Sequence, residues 1–286
     1  MRVWVLCVGI WFPFPDLVGQ LRPMLAGNES PLAGLGNHLF FRPVSAFVNP
    51  AVLGASLPFF TVECSMDQFP GLPITRRVEA QATFQLTARS GIGGRVSSIG
   101  KGSFKNTQAG LAYGMQLSAS EPKRTAWQLG ALLQYNRLRI QPAKPGSFFT
   151  AGIATAYRLR KQAFNLLLAV DRQTSNAGRT ALSGALTEIQ LNFYHCYQLS
   201  ELVSTEMALL FSFAGPPVLQ ARIQYSFLDN AFLRVHAQIS PPMIAWEQGY
   251  RLKNSWLTVH CMRYPMIGWK IGLGIVWTQA KKHKRP

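Results

Sequence analysis

The sequence predicts an all-β fold: a transmembrane antiparallel β-barrel of about fourteen strands. Three observations lead there. From about residue 76 onward, apolar and polar residues alternate in segments of roughly ten residues, as in strands whose two faces meet different surroundings. The polar faces of those segments carry Gly, Gln, Ser and Ala more than Lys and Glu, which suits a crowded interior better than open water. Charged residues are only 14% of the 286, against a usual share of about 25%, so a surface turned to water would be short of charge.

Residues 1–20, MRVWVLCVGIWFPFPDLVGQ, read as a secretory signal peptide. Arg2 gives a positive start, and Val3 to Phe12 form an apolar run too short to cross a bilayer, which takes about 20 residues. Cys7 lies too early for a lipoprotein signal and reads as one more small apolar residue of the leader.

The strands follow. VEAQATFQL (78–86) sets Val78, Ala80, Ala82, Phe84 and Leu86 against Glu79, Gln81, Thr83 and Gln85. QAGLAYGMQLS (108–118) sets Ala109, Leu111, Tyr113, Met115 and Leu117 against Gln108, Gly110, Ala112, Gly114 and Gln116. In AWQLGALLQYN (126–136), Trp127, Leu129, Ala131, Leu133 and Tyr135 oppose Gln128, Gly130, Gln134 and Asn136, with Leu132 an exception. The same alternation runs through 149–159, 187–193, 219–227, 232–240 and 268–277. Turn-forming clusters such as SASEPKR, QPAKPG and TSNAGR separate the runs. A soluble sandwich also alternates, but its strands usually run about five or six residues. Trp127, Tyr135, Trp269 and Trp277 lie toward strand ends, as interfacial aromatic girdles do. The oily faces are therefore expected to meet hydrocarbon and the polar faces to point inward.

On the polar faces, Glu79, Arg158, Glu188, Glu206, Arg222, Arg234, His236 and Glu247 are the lumen-facing candidates. They could line a path or a binding site. The plainer reading is mutual pairing, because charges taken out of water need partners.

With 29 Lys and Arg against 12 Asp and Glu, the net charge is +17. Such a balance suits nucleic acid, anionic lipid or another polyanion. The bases are spread along the chain except in the tail KKHKR, and there is no helix-turn-helix pattern, zinc-finger spacing or RNA-binding aromatic box. Nucleic acid is therefore not expected as a partner; outer-membrane lipid and lipopolysaccharide phosphates are. Cys64, Cys196 and Cys261 are widely spaced with no C-x-x-C, so neither a metal site nor a disulfide framework is expected, and no cofactor is implied. His195, His236 and His260 look isolated, and no H-x-E, H-x-x-x-H or G-x-S-x-G occurs; no catalytic residue is assigned and no enzyme is expected.

Residues 33–54, AGLGNHLFFRPVSAFVNPAVLG, combine a Gly-Leu-Gly run with S-A-F-V-N-P-A. This resembles the N-terminal segment of the FadL-type outer-membrane proteins, and most nearly the shorter PorV/PorQ-like branch of Bacteroidota. The likeness continues through CSMDQFPGLPITRRVEAQATF (64–84) to HCMRYPMIGWKIGLGIVW (260–277), covering nearly all of the mature chain. Val52-Leu53 stands where the family has Gly-Leu after N-P-A.

The resemblance implies a fourteen-stranded barrel with an N-terminal plug, and a short lipid-level excursion between the first two strands. Asn49, Pro50 and Ala51 form the plug motif, Asn49 and Pro50 shaping a turn. In FadL-type transporters a kink in the third strand opens a lateral exit. Here GIGGRVSSIG (91–100) makes Gly91, Gly93 and Gly94 the candidates for such a kink, the plainer reading being a loose turn. The expected organisation is signal peptide 1–20, plug 21–54, barrel 55–278 and basic periplasmic tail 279–286. The branch implies a non-enzymatic accessory barrel that binds secretion-system proteins of the type IX pathway. The alternative is a FadL-like transporter of a hydrophobic ligand.

Overall fold

The structure, a computed structural model, describes residues 47, 49–54, 59–70, 72–102, 104–120, 125–140, 146–159, 161–173, 187–200, 202–212, 215–228, 230–239, 242–264 and 268–279. The expected signal peptide 1–20, most of the expected plug segment 21–54 and nearly all of the expected basic tail 279–286 lie outside them. The first seven strands are β1 (Phe60–Phe69), β2 (Leu72–Thr87), β3 (Ser90–Ile99), β4 (Phe104–Ser120), β5 (Thr125–Ile140), β6 (Gly146–Arg158) and β7 (Gln162–Gln173). The other seven are β8 (Thr187–Gln198), β9 (Val203–Ser212), β10 (Gly215–Leu228), β11 (Ala231–Ile239), β12 (Met243–Leu252), β13 (Ser255–Tyr264) and β14 (Gly268–Gln279).

Each strand pairs antiparallel with its neighbours in sequence, and β1 pairs with β14 from Phe60↔Gln279 to Gln68↔Ile271. The sheet thus closes and leaves no edge, which is what lets a sheet sit in hydrocarbon, where an unpaired N–H or C=O has no water to bond. Register shifts fall near strand ends, between Asp67 and Phe69, Gln85 and Thr87, Gln116 and Ser118, Gly215 and Val218, and Ser226 and Leu228. Strand middles keep strict alternation, so each side chain's face follows from its parity.

That parity is inverted relative to a soluble protein. Ile153 and Ile244 are 64% and 63% exposed, whereas Gln81 and Asn136 are 3% and 1% exposed. Apolar side chains cover the outside and amides, carboxylates and guanidinium groups fill the inside, as the alternation predicts. A barrel of this strand number has a lumen wider than its own side chains fill unaided.

Two differences from expectation concern the first hairpins. Only residues 70 and 71 separate β1 from β2, so the lipid-level excursion implied by the resemblance is absent. GIGGRVSSIG is an ordered strand and not a loose turn: β3 pairs with β4 without a register shift from Ser90 to Ile99. Strand β14 runs to Gln279, one residue beyond the expected limit of the barrel.

The two ends of the barrel differ. Phe60 begins β1 and Gln279 ends β14 at one end, the terminal end. The longest connection, residues 174–186 between β7 and β8, belongs to the opposite, loop end. Outer-membrane barrels carry short turns on the periplasmic side and longer loops outside, which makes the loop end the cell-surface end.

Candidate functional site

Inside the barrel, residues 50–54 form a single 3-10 turn, Pro50–Gly54, with every residue buried. Its start is set locally. The Asn49 side-chain oxygen accepts from the Ala51 N–H at 3.1 Å, and the Asn49 carbonyl accepts from the Val52 N–H at 3.2 Å. Pro50 fixes φ at the turn and has no N–H to leave unsatisfied. The turn packs against the inner face of β3 to β6.

Its seat is carved by glycine. Gly110 and Gly114 on β4 and Gly130 on β5 have inward parity. A Cβ on Gly114 would lie 2.8 Å from Leu53 Cβ and would collide with the Pro50 carbonyl oxygen; one on Gly130 would collide with Ala51 N and Pro50 C. Around the glycines, Ala112, Leu132, Ala154, Ala156 and Leu167 form an apolar cluster with Phe47, Ala51, Val52 and Leu53. Leu132, oily on the polar parity, points inward where the turn is its partner, and Leu167 of β7 joins it; Phe232, Trp256 and Val276 form a second apolar cluster on the inner wall.

The lumen-facing candidates whose side chains are described fall on the inner wall. Glu79, Glu206, Arg222, Arg234, His236 and Glu247 are buried, Arg158 is half-buried on the inward parity of β6, and Glu188 is the register partner of inward Asp171. All but Arg158 and Glu188 gather into two groups. On β2 and β3, Glu79 takes hydrogen bonds from Arg77, from Arg95 at 2.8 Å and from Gln81 at 3.1 Å. Beside it, Lys270 of β14 meets Asp67 of β1 at 2.7 Å, and His260 Nε2 of β13 lies 3.8 Å from the same carboxylate. Across the lumen, Arg234 donates to Glu247 at 2.8 Å and to the Gln224 side-chain oxygen at 2.7 and 3.1 Å, while Arg222 lies 3.5 Å from Glu206.

His260 is therefore not isolated as the sequence suggested, and His236 sits opposite Arg222 in the register. Among the described residues, Glu63, Asp67, Arg77, Arg95, Asp171, His260 and Lys270 are titratable lumen residues that sequence reasoning did not place there. Alternation shows which way a residue points but not which strand closes against which; only the β1–β14 seam brings Asp67 to Lys270. Among the described residues no group of three or more His, Cys, Asp or Glu could hold a metal ion.

The third feature is in the wall. A hollow of about 590 Å³ opens on the outer face across β1 to β6, lined by Val62, Ala80, Ala82, Val96, Ala109, Leu111, Leu133, Tyr135 and Phe149, and at its base by Gln81, Gly94, Arg95 and Gly110. Small residues make it concave: a Cβ on outward Gly94 would meet nothing within 4 Å. Directly behind, on the lumen side, a Cβ on Gly110 would touch the Phe47 ring at 3.0 Å, and the Arg95 guanidinium stands over that ring at 5.8 Å. Arg95 and Gly110 are register partners, as are Gly94 and Leu111. Of the three kink candidates, Gly91 and Gly93 have inward parity and Gly94 outward parity, and the β3–β4 ladder runs past all three unbroken.

No protein-family model matches the chain, and no curated protein sequence matches it. Solved structures do. The chain is similar to the outer membrane protein Omp33 of Acinetobacter baumannii, with TM-score 0.51 and 10% identity over 77% of this chain and 98% of that one. It is similar to the toluene transporter TodX of Pseudomonas putida, with TM-score 0.51 and 10% identity over 83% of this chain and 93% of that one. A deltaS2 mutant of the TodX monoaromatic hydrocarbon channel gives TM-score 0.52 and 12% identity over 83% and 94%. Identities this low speak to the fold. A closed fourteen-stranded barrel, oily outside and polar inside, that shares its fold with these proteins is a bacterial outer-membrane β-barrel.

Proposed function

We propose that the barrel is an outer-membrane passage for a hydrophobic compound. The segment around Phe47 to Gly54 is its internal stopper, and the β3–β4 wall, closed by a continuous ladder in this structure, is where it would part to release cargo toward lipid. One observation carries this reading. Stopper and outer hollow lie on opposite faces of the same patch of wall, and that patch is thinned by glycine on both sides, Gly94 outward and Gly110 inward. A cargo leaving the lumen there would pass from Phe47 to an apolar hollow without entering water. A small apolar compound is the cargo class that such lining selects. The FadL-type resemblance of residues 33–54 and the fold shared with TodX support the same reading.

The accessory role in type IX secretion, implied by the PorV-like resemblance, is the second reading. No contact among the described residues favours it over transport.

Gly94→Leu separates them. Its side chain enters open space, so it fills the hollow without straining the barrel. Uptake of a hydrophobic fluorescent probe into vesicles carrying the protein should fall several-fold in this variant. Unchanged uptake would remove the lateral outlet. If a stable protein partner also co-purified from membranes in mild detergent, the accessory role would replace it.

A further inference from the structure

The outer face above the hollow, toward the loop end, is basic and free of acid. Reading up the register, the row Val96, Ala109, Tyr135, Phe149 lines the hollow. The next outward row is Ser98, Thr107, Arg137, Ser147, and the one above it holds Lys105 and Arg139. Arg76 joins that upper row, since the Gly100 N–H donates to its carbonyl at 2.9 Å. Rows on one face are two residues apart, so Arg137 stands about 7 Å above Tyr135 along the strand, and Arg139 about 7 Å above Arg137.

Arg76, Lys105, Arg137 and Arg139 are all exposed. None makes an ion pair or a side-chain hydrogen bond with another described residue. Lys105 and Arg139 are direct register partners, and like charges opposite each other across an antiparallel pair are destabilising. Among the described residues no carboxylate relieves it. Glu63, Asp67, Glu79, Asp171, Glu206 and Glu247 are buried on the inner wall, and Glu188 is the register partner of Asp171. Glu121, Glu201 and Asp229 fall between strands that connect at the terminal end. The connections of the loop end contain no Asp or Glu at all.

We infer that this face is a binding site for a phosphorylated, acylated glycolipid of the outer leaflet, of the lipid A type. An acyl chain lies in the hollow, and a phosphate bridges Lys105, Arg137 and Arg139, with Arg76 at its flank. Two features that need not coincide are joined in one ligand: an apolar hollow of chain-binding character at hydrocarbon depth, and clustered cations one and two rows above it, where a headgroup begins. The phosphate offsets the repulsion between Lys105 and Arg139, and guanidinium groups bind it through forked hydrogen bonds. The inference rests on the barrel lying in the outer membrane with its loop end outward. It does not rest on transport, although a bound chain and a departing cargo would compete for the hollow.

The test is native mass spectrometry of the full-length protein, folded and purified in a non-ionic detergent. It is titrated in turn with lipid A, phosphatidylglycerol and inorganic phosphate. Lipid A should be retained in preference to phosphatidylglycerol, and inorganic phosphate at equal concentration should not displace it. The triple variant K105A/R137A/R139A should bind lipid A about tenfold more weakly or worse, since each lost charge-assisted bond contributes measurably. Gly94→Leu should weaken binding through the acyl chain alone. A control pair at the terminal end, R89A/K161A, should bind as the parent does. Folding of each variant is read from heat-dependent mobility on gels. Parent-like lipid A binding by the triple variant would overturn the site. Equal retention of phosphatidylglycerol would overturn the glycolipid as its ligand. Lipid retention is measured without any uptake, so loss of the transport reading would leave this result standing.

Discussion

At the scale of single residues, the lumen is held by carboxylates shared between cations. Glu79 is the clearest case: its side chain is 1% exposed and its two oxygens serve Arg77, Arg95 and Gln81. A charge buried this deeply is tolerated only while its neighbours balance it. Glu79→Ala removes the carboxylate and leaves two guanidinium groups facing each other without it. The expected loss is about 3–5 kcal/mol of barrel stability, the usual cost of breaking a buried ion pair from one side. It should appear as a lower temperature for the gel-mobility shift from folded to unfolded barrel. Glu79→Gln keeps shape and hydrogen bonding to one side, so it should lose less than the alanine variant does. That Glu79 points inward was legible in VEAQATFQL. That Arg95 shares it was not, because that contact depends on the register between β2 and β3, whereas Arg77 lies two residues before Glu79 on the same face of β2.

At the scale of elements, strands and stopper differ in how openly the sequence declares them. A lipid-facing strand must be oily at every second position, so the two-residue period survives almost undisturbed from β2 to β14. The stopper's seat is written in a weaker script. Gly110, Gly114 and Gly130 read as polar-face spacers, and a glycine in a strand interior usually signals only weakness. Their meaning needs the position of Pro50–Gly54, which alternation does not give. Leu132 was a local hint, an oily residue on the wrong parity, and Leu167 of β7 is another in the same cluster. The seat also makes a sharp prediction. Gly114→Val places branched carbon where the Pro50 carbonyl oxygen now lies, and the obstacle is backbone, which cannot rotate aside as a side chain can. The turn should be displaced while the β4 ladder persists, since valine suits a strand. Single-channel current across a planar bilayer should then rise above that of the parent. Gly94→Val on the neighbouring strand, with open space at its Cβ, should leave the current unchanged.

At the scale of the whole molecule, charge is sorted by direction. The described strand carboxylates face the lumen, while exposed Lys and Arg collect near the ends of the barrel and leave a neutral apolar band between them. Under the proposed orientation, the exposed part of the net charge of +17 would stand at the depth of anionic headgroups. The same sorting predicts how the barrel responds to an added cation according to depth. Ile153 lies mid-strand on β6, 64% exposed, with oily neighbours Ala131 and Leu168 beside it in the register. Thr107 is also outward, but it shares a row with Arg137 near the loop end. Ile153→Arg should cost about 2–4 kcal/mol, the penalty of a guanidinium at the bilayer midplane, whereas Thr107→Arg should cost about 1 kcal/mol or less. Reversible urea unfolding from lipid vesicles measures both. A soluble protein would show no such gradient, because an exposed arginine there meets water at either position. Equal costs at Ile153 and Thr107 would mean that the oily band does not lie in hydrocarbon.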